Sequence, residues 1–134
     1  MNKHEMREEV FKIIFGIDFH DGEDIGELVE KYMTASCDVD VSSREYGLIA
    51  GKAEAVGRML PQLDSEIDAV AEGGWKTNRM GKAELNIIRL ALYEMKYDDS
   101  IPVKVAINEA VELSKEYCND DARSFINGLL AHFV

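Results

Sequence analysis

Proline is scarce in this chain. Pro61 and Pro102 are the only two in 134 residues, so most of the sequence is free of the residue that lacks an amide hydrogen and breaks helices. Cysteine is equally scarce. Cys37 and Cys118 lie too far apart for a close metal-binding pair and provide no disulfide framework, so they read as reduced packing residues of a cytoplasmic protein. The three histidines, His4, His20 and His132, lack the ligand spacing of a zinc site, and no metal site is expected. No apolar run approaches the roughly 20 residues that span a bilayer. The first residues, Met1-Asn2-Lys3-His4-Glu5, lead into an amphipathic segment rather than the apolar block of a signal peptide. No membrane association is therefore expected.

The motifs of catalysis are also missing. There is no glycine-rich phosphate loop and no nucleophile elbow. In Asp18-Phe19-His20-Asp21-Gly22 the glycine is off register by one and the terminal glutamate is absent, which rejects a calcium loop. Carboxylates are so abundant that they pair by chance and do not argue for acid–base chemistry. The expectation is a protein that is not an enzyme, with no catalytic residue and no cofactor.

Positive charge is in short supply. The net charge is −11, which excludes a broad basic face but not a small local one. The imbalance is uneven: residues 1–71 carry −9 and residues 72–134 carry −2. The acidic run Asp18, Asp21, Glu23, Asp24, Glu27, Glu30 reads as a solvated loop and helix start.

Helical periodicity is what the sequence has in quantity. Met6, Val10, Ile13, Ile14 and Ile17 mark a first helix, and Ile25, Leu28, Val29, Tyr32 and Met33 a second. Ser42 and Glu45 have the spacing of a capping box. The run beyond them, Tyr46, Ile49, Ala53, Val56, Leu60, Leu63, Ile67 and Val70, is a seam of alternating threes and fours. Pro61 inside it should bend the helix or split it. Gly73-Gly74 stops it. Further helices carry Ile87, Ile88, Ala91, Leu92 and Met95, then Val103, Ile107, Ala110 and Val111 behind Pro102, then Phe125, Ile126, Leu129, Leu130 and Phe133 behind the cap Asn119-Asp120-Asp121. With no strand alternation, the predicted fold class is all-α: six or seven helices in one domain, 1–134, with an N-terminal half, 1–72, and a C-terminal half, 73–134, packed along the 46–70 helix.

The C-terminal half is more specific than periodicity. It reads Trp75, Arg79, then Glu84-Leu85-Asn86-Ile87-Ile88-Arg89-Leu90-Ala91-Leu92-Tyr93-Glu94-Met95. Next come Ile101-Pro102-Val103-Lys104-Val105-Ala106-Ile107-Asn108-Glu109-Ala110-Val111-Glu112-Leu113-Ser114-Lys115 and Ser124-Phe125-Ile126-Asn127-Gly128-Leu129-Leu130. In order and spacing this resembles the NusB family of transcription antitermination factors, in its stand-alone form. The resemblance implies a NusB-like helical bundle. It also implies an adaptor that binds boxA-type single-stranded RNA together with the small-subunit ribosomal protein NusE, joins the RNA polymerase antitermination complex and promotes ribosomal RNA transcription.

Residue by residue, the resemblance places an RNA site on Lys3, His4 and Arg7, with Lys104, Asp121, Arg123 and Phe125 as its second part, and a NusE site on Phe15 and Glu84. Glu5 stands where the family usually has a cation, and each lost ionic contact lowers affinity and its salt slope. That motivates the alternative function, a helical protein–protein adaptor with little autonomous RNA binding. Other roles stay open: Phe125 as core beside Leu129 and Phe133, Glu84 as a helix-start charge, Lys3 and Arg7 as plain surface charges, and Trp75 as an anchor packing its loop onto the core. Lys3, Arg7, Lys104 and Arg123 are expected to form one positive patch. Arg89 and Glu109 are expected to pair between helices.

Overall fold

The structure, a computed structural model, describes residues 1–20 and 22–134. Asp21 of the acidic run lies outside the described residues. Among the described residues there are seven α-helices, two 3-10 turns and no strand. The helices are α1 (Lys3–Ile17), α2 (Ile25–Ala35), α3 (Arg44–Arg58), α4 (Leu60–Val70), α5 (Lys82–Tyr97), α6 (Val103–Tyr117) and α7 (Ala122–Leu130). The 3-10 turns are Thr77–Arg79 and Ala131–Phe133. None of the described helices is long and apolar enough to cross a membrane.

The chain divides into two compact units, Met1–Met59 and Leu60–Val134. This boundary lies earlier than the 72/73 division read from the sequence, and Pro61 gives the reason. A continuous helix would need an amide at position 61 to reach the Gly57 carbonyl, and proline has none. The 46–70 seam is accordingly two helices, with α3 capped at Met59 and Pro61 in the first turn of α4, where a missing amide costs no intrahelical bond.

In the first unit α1 and α2 pack on α3. The stripe Val10, Phe11, Ile13, Ile14 and Ile17 is buried with Val29, Met33, Ile49, Ala53 and Val56. Gly57 allows the close approach: a Cβ there would stand 3.0 Å from Ile25 Cγ2 and 3.1 Å from Ile17 Cδ1. A capping box not foreseen from the sequence opens α1. Asn2 Oδ1 accepts the Glu5 amide at 2.8 Å and Glu5 Oε1 accepts the Asn2 amide at 2.9 Å. The cap of α3 is Ser43, whose Oγ accepts the Tyr46 amide at 3.2 Å, one residue beyond the predicted Ser42. The Ser42 hydroxyl instead donates to Asp40.

In the second unit α5 is central. Every residue from Leu85 to Leu92 is buried, because α4, α6 and α7 all pack against it. Its Arg89 is seated by a fork. Nε and Nη2 donate to Asp64 Oδ1 and Oδ2 of α4 at 2.7 and 2.6 Å. Nη1 donates to Asn86 Oδ1 at 3.0 Å. Asp64 is a partner of Arg89 that the sequence does not single out. Toward the C-terminal end of α5, Lys96 and Tyr97 both donate to Glu66 of α4.

Candidate RNA and partner interface

In the first unit Lys3, His4, Arg7 and Phe15 all lie on α1. Lys3 is exposed and His4 half-buried. Arg7 departs from its predicted place: only 7% of it is exposed, because it lies on the helix face that carries Val10, Ile14 and Ile17. A side chain so placed is part of the interior, and the plain surface role allowed for it from the sequence is set aside. Glu5, whose negative charge looked out of place beside these cations, is committed to the α1 cap. Phe15 is half-buried in an aromatic ladder, 5.9 Å from the Phe11 ring and 5.3 Å from that of Phe19, which is exposed.

In the second unit one end gathers most of the named residues. Glu84 lies in the first turn of α5, and its carboxylate is near enough to Cys118, just past the end of α6, to raise the thiol. Asp121, Arg123 and Phe125 follow at the start of α7. Asp121 and Arg123 are exposed. The Asp121 side chain makes no capping hydrogen bond, contrary to the cap read from Asn119-Asp120-Asp121, because its backbone is already helical (φ −71°, ψ −15°) and an N-cap needs an extended one. Lys104 is exposed in the first turn of α6, at the other end of that helix. At 1.5 Å per residue it stands about 20 Å from the α6–α7 loop, so Lys104 and Arg123 are not neighbours.

Phe125 is half-buried, and its ring lies 6.5 Å from Trp75 at a tilt of 58°. Trp75 itself is 64% exposed and does not serve as the buried anchor expected of it. Sequence reasoning missed it as a candidate site residue. The available signal was its place outside any apolar stripe, in the Gly73-Gly74 loop, beside Lys76 and Arg79. The loop is held from below. Lys76 Nζ donates to the carbonyls of Asp68 and Ala71 near the α4 C-terminus at 2.8 and 3.0 Å, and Thr77 donates twice to the Asp68 carboxylate.

Burial beside a carboxylate sets the character of both cysteines. Burial and the neighbouring Glu84 carboxylate push the Cys118 thiol up to about 12, and burial with the nearby Glu9 raises Cys37. A group whose folded value is raised lends stability that is complete below its unfolded value and is lost as pH rises through the folded one. For Cys118 the loss falls between the ordinary value of 9.0 and about 12. Both thiols should therefore react with iodoacetamide at pH 8 far more slowly in native protein than in urea, with the rate measured by mass shift. Native Cys118 alkylated as fast as unfolded would overturn the assigned contact.

All described secondary structure is helical, and the exposed candidate residues are cations, acids and aromatic rings on helix starts and one loop. That defines an all-α protein. The family model described as "NusB family" matches residues 4–134. The transcription antitermination protein NusB of Agathobacter rectalis is 44% identical over 134 residues, covering all of both chains. That of Lachnoclostridium phytofermentans is 41% identical over all of this chain and 99% of its own. The chain belongs to the NusB family, a family of non-enzymatic factors. Among solved structures, NusB of T. maritima superposes with a TM-score of 0.84 at 28% identity, over 98% of this chain and 89% of that one. A crystal structure of the antitermination factors NusB and NusE in complex with dsRNA shares the fold with a TM-score of 0.81 at 23% identity, over 98% and 96%.

Proposed function

We propose that this chain is a cytoplasmic transcription antitermination factor that binds boxA-type single-stranded RNA together with the ribosomal protein NusE and enters the RNA polymerase antitermination complex on ribosomal RNA operons. The observation that carries this reading is end-to-end similarity, at 44% identity, to a protein named for transcription antitermination. The exposed cations Lys3, Lys104 and Arg123 are suited to backbone phosphate, and each neutralised phosphate contributes to the salt dependence. Glu84 and Phe15 are proposed to meet NusE.

The test is a titration of fluorescein-labelled boxA-type RNA with and without NusE across a salt series. Binding should tighten when NusE is present. Lys3→Ala and Arg123→Ala should each lower the slope of log K against log salt by about 0.7, the value for one contact to a single strand. No RNA binding even with NusE present would end this reading. Binding of NusE without any contribution to RNA affinity would favour the second one, a protein–protein adaptor. The second reading is supported by the burial of Arg7 and the engagement of Glu5 in the cap, which leave Lys3 as the accessible full cation at the start of α1.

A further inference from the structure

A cleft of about 330 Å³ opens in the second unit, lined by Val70, Glu72, Trp75, Ser124, Phe125 and His132 among others. Its size is at the lower end of small-molecule sites, roughly 300–1,000 Å³, and suits one planar ring system. We propose that this cleft is a pocket for a single unpaired nucleobase of the bound RNA, with Trp75 as its stacking platform. The proposal rests on the RNA-binding reading and adds to it a residue and a mode of contact.

Three observations favour a base. First, Trp75 exposes a large flat ring, at 64%, and that ring lines the cleft. A solvated indole beside a cleft is a ready surface for stacking, which is tolerant of base identity because every base has a π-face. Second, the Trp75 and Phe125 rings are 6.5 Å apart and tilted by 58°, so no ring can lie parallel between them. A planar group stacks on the open face of the indole and meets Phe125 edge-on. Third, the polar lining matches a base rather than a phosphate. Glu72 is an acceptor that repels phosphate but takes an amino or imino hydrogen, and Ser124 and His132 add hydrogen-bonding capacity. The cations stand outside the cleft: Arg123 precedes Ser124 on α7 and is exposed, and Arg79 lies against the loop, with Nη1 3.2 Å from where a Gly74 Cβ would be. The base enters and the flanking phosphates remain at the rim. An apolar side chain of a protein partner would leave Glu72, Ser124 and His132 unused.

Trp75 is the one tryptophan in the sequence, so this chain's own tryptophan emission, taken as the difference from the Trp75→Phe variant under the same conditions, reports the cleft. The experiment uses the full chain with NusE and boxA-type single-stranded RNA. Affinity is read independently by anisotropy of labelled RNA, and folding by circular dichroism. Trp75 emission should change in step with RNA binding. Trp75→Ala should weaken binding about 5- to 150-fold, the range set by roughly 1–3 kcal/mol per stacked base, with an unchanged melting curve, while Trp75→Phe keeps most of the affinity. In a series of RNAs with one abasic position each, a single position should lose affinity to match, and that loss should vanish in Trp75→Ala. RNA binding that persists with Trp75 emission unaltered and Trp75→Ala at wild-type affinity would overturn the pocket and leave the RNA-binding reading standing. A Trp75 response to NusE alone, undiminished by every abasic RNA, would assign the cleft to the protein partner and also overturn it. If no RNA binds with NusE present, both fall.

Discussion

Phe11→Ala is expected to lower stability by about 3–5 kcal/mol, the usual cost of deleting a core phenyl group together with the cavity it leaves. Phe11 is only 2% exposed, in the middle of the α1 stripe between Val10 and Ile13. The site has little freedom to collapse. On one side α1 packs against α3, so closely that a Cβ at Gly57 would crowd Ile17 and Ile25. Small domains have roughly 5–15 kcal/mol in all, so this single change takes a large share of the total. For a chain of this size the melting temperature should fall on the order of 10–20 °C. The same change removes the ring against which Phe15 leans at 5.9 Å, so NusE binding through Phe15 should weaken as a secondary effect. Urea denaturation gives the free energy. A shift under 1 kcal/mol would mean that the α1 core relaxes around the gap, and that the packing described for the first unit is looser than the structure shows.

The helices were legible in the sequence because their signal is periodic and repeated. The stripe Val10, Ile13, Ile14, Ile17 is readable from one short window, and the structure buries all four. The C-terminal motifs were legible for a different reason: their order is specific to a family, and α5, α6 and α7 fall on them. What escaped were features fixed by a single contact. The cap of α3 is Ser43 and not Ser42 because Asp40 takes the Ser42 hydroxyl, and two adjacent serines carry the same information in a sequence. Family resemblance places Arg7 in the RNA site and its charge places it on the surface by default, yet i and i+3 spacing to Val10 puts it on the buried stripe. Trp75 was read as buried because large aromatic rings usually are. It lies between helices, in a loop without period, where only the tertiary positions of α4 and α7 decide its exposure. The candidates Glu84, Asp121, Arg123 and Phe125 can be named from the sequence because they sit on motif helices, whereas a loop residue such as Trp75 carries no comparable signal.

Arg89→Ala is expected to cost about 3 kcal/mol, the lower end of what breaking one side of a buried pair costs. The lower end applies because the Arg89 side chain is 5% exposed but that of Asp64 is 26% exposed, so water screens part of the carboxylate left behind. Two groups lose their partner at once. Asp64 loses a bidentate donor fork at 2.7 and 2.6 Å, the geometry in which guanidinium and carboxylate match best. Asn86, with no exposed surface, loses the donor to its Oδ1, while its amide still donates to the Lys82 carbonyl at 2.9 Å. An unsatisfied buried acceptor adds its own desolvation penalty. A double-mutant cycle separates these effects. Asp64→Ala alone removes the carboxylate that faces the buried guanidinium and should destabilise about as much as Arg89→Ala. The double variant leaves no unpaired charge and should cost clearly less than the sum, with a coupling on the order of 1–3 kcal/mol. Glu109→Ala, run in the same cycle, tests the pairing read from the sequence: it should couple to Arg89 more weakly than Asp64 does. Additive costs for Arg89 and Asp64 would mean that the fork does not hold α4 to α5. Arg89→Ala that melts as the wild type yet fails to bind RNA or NusE would make Arg89 a contact residue, and the division of this helix into an interior that holds and an end that binds would have to be redrawn.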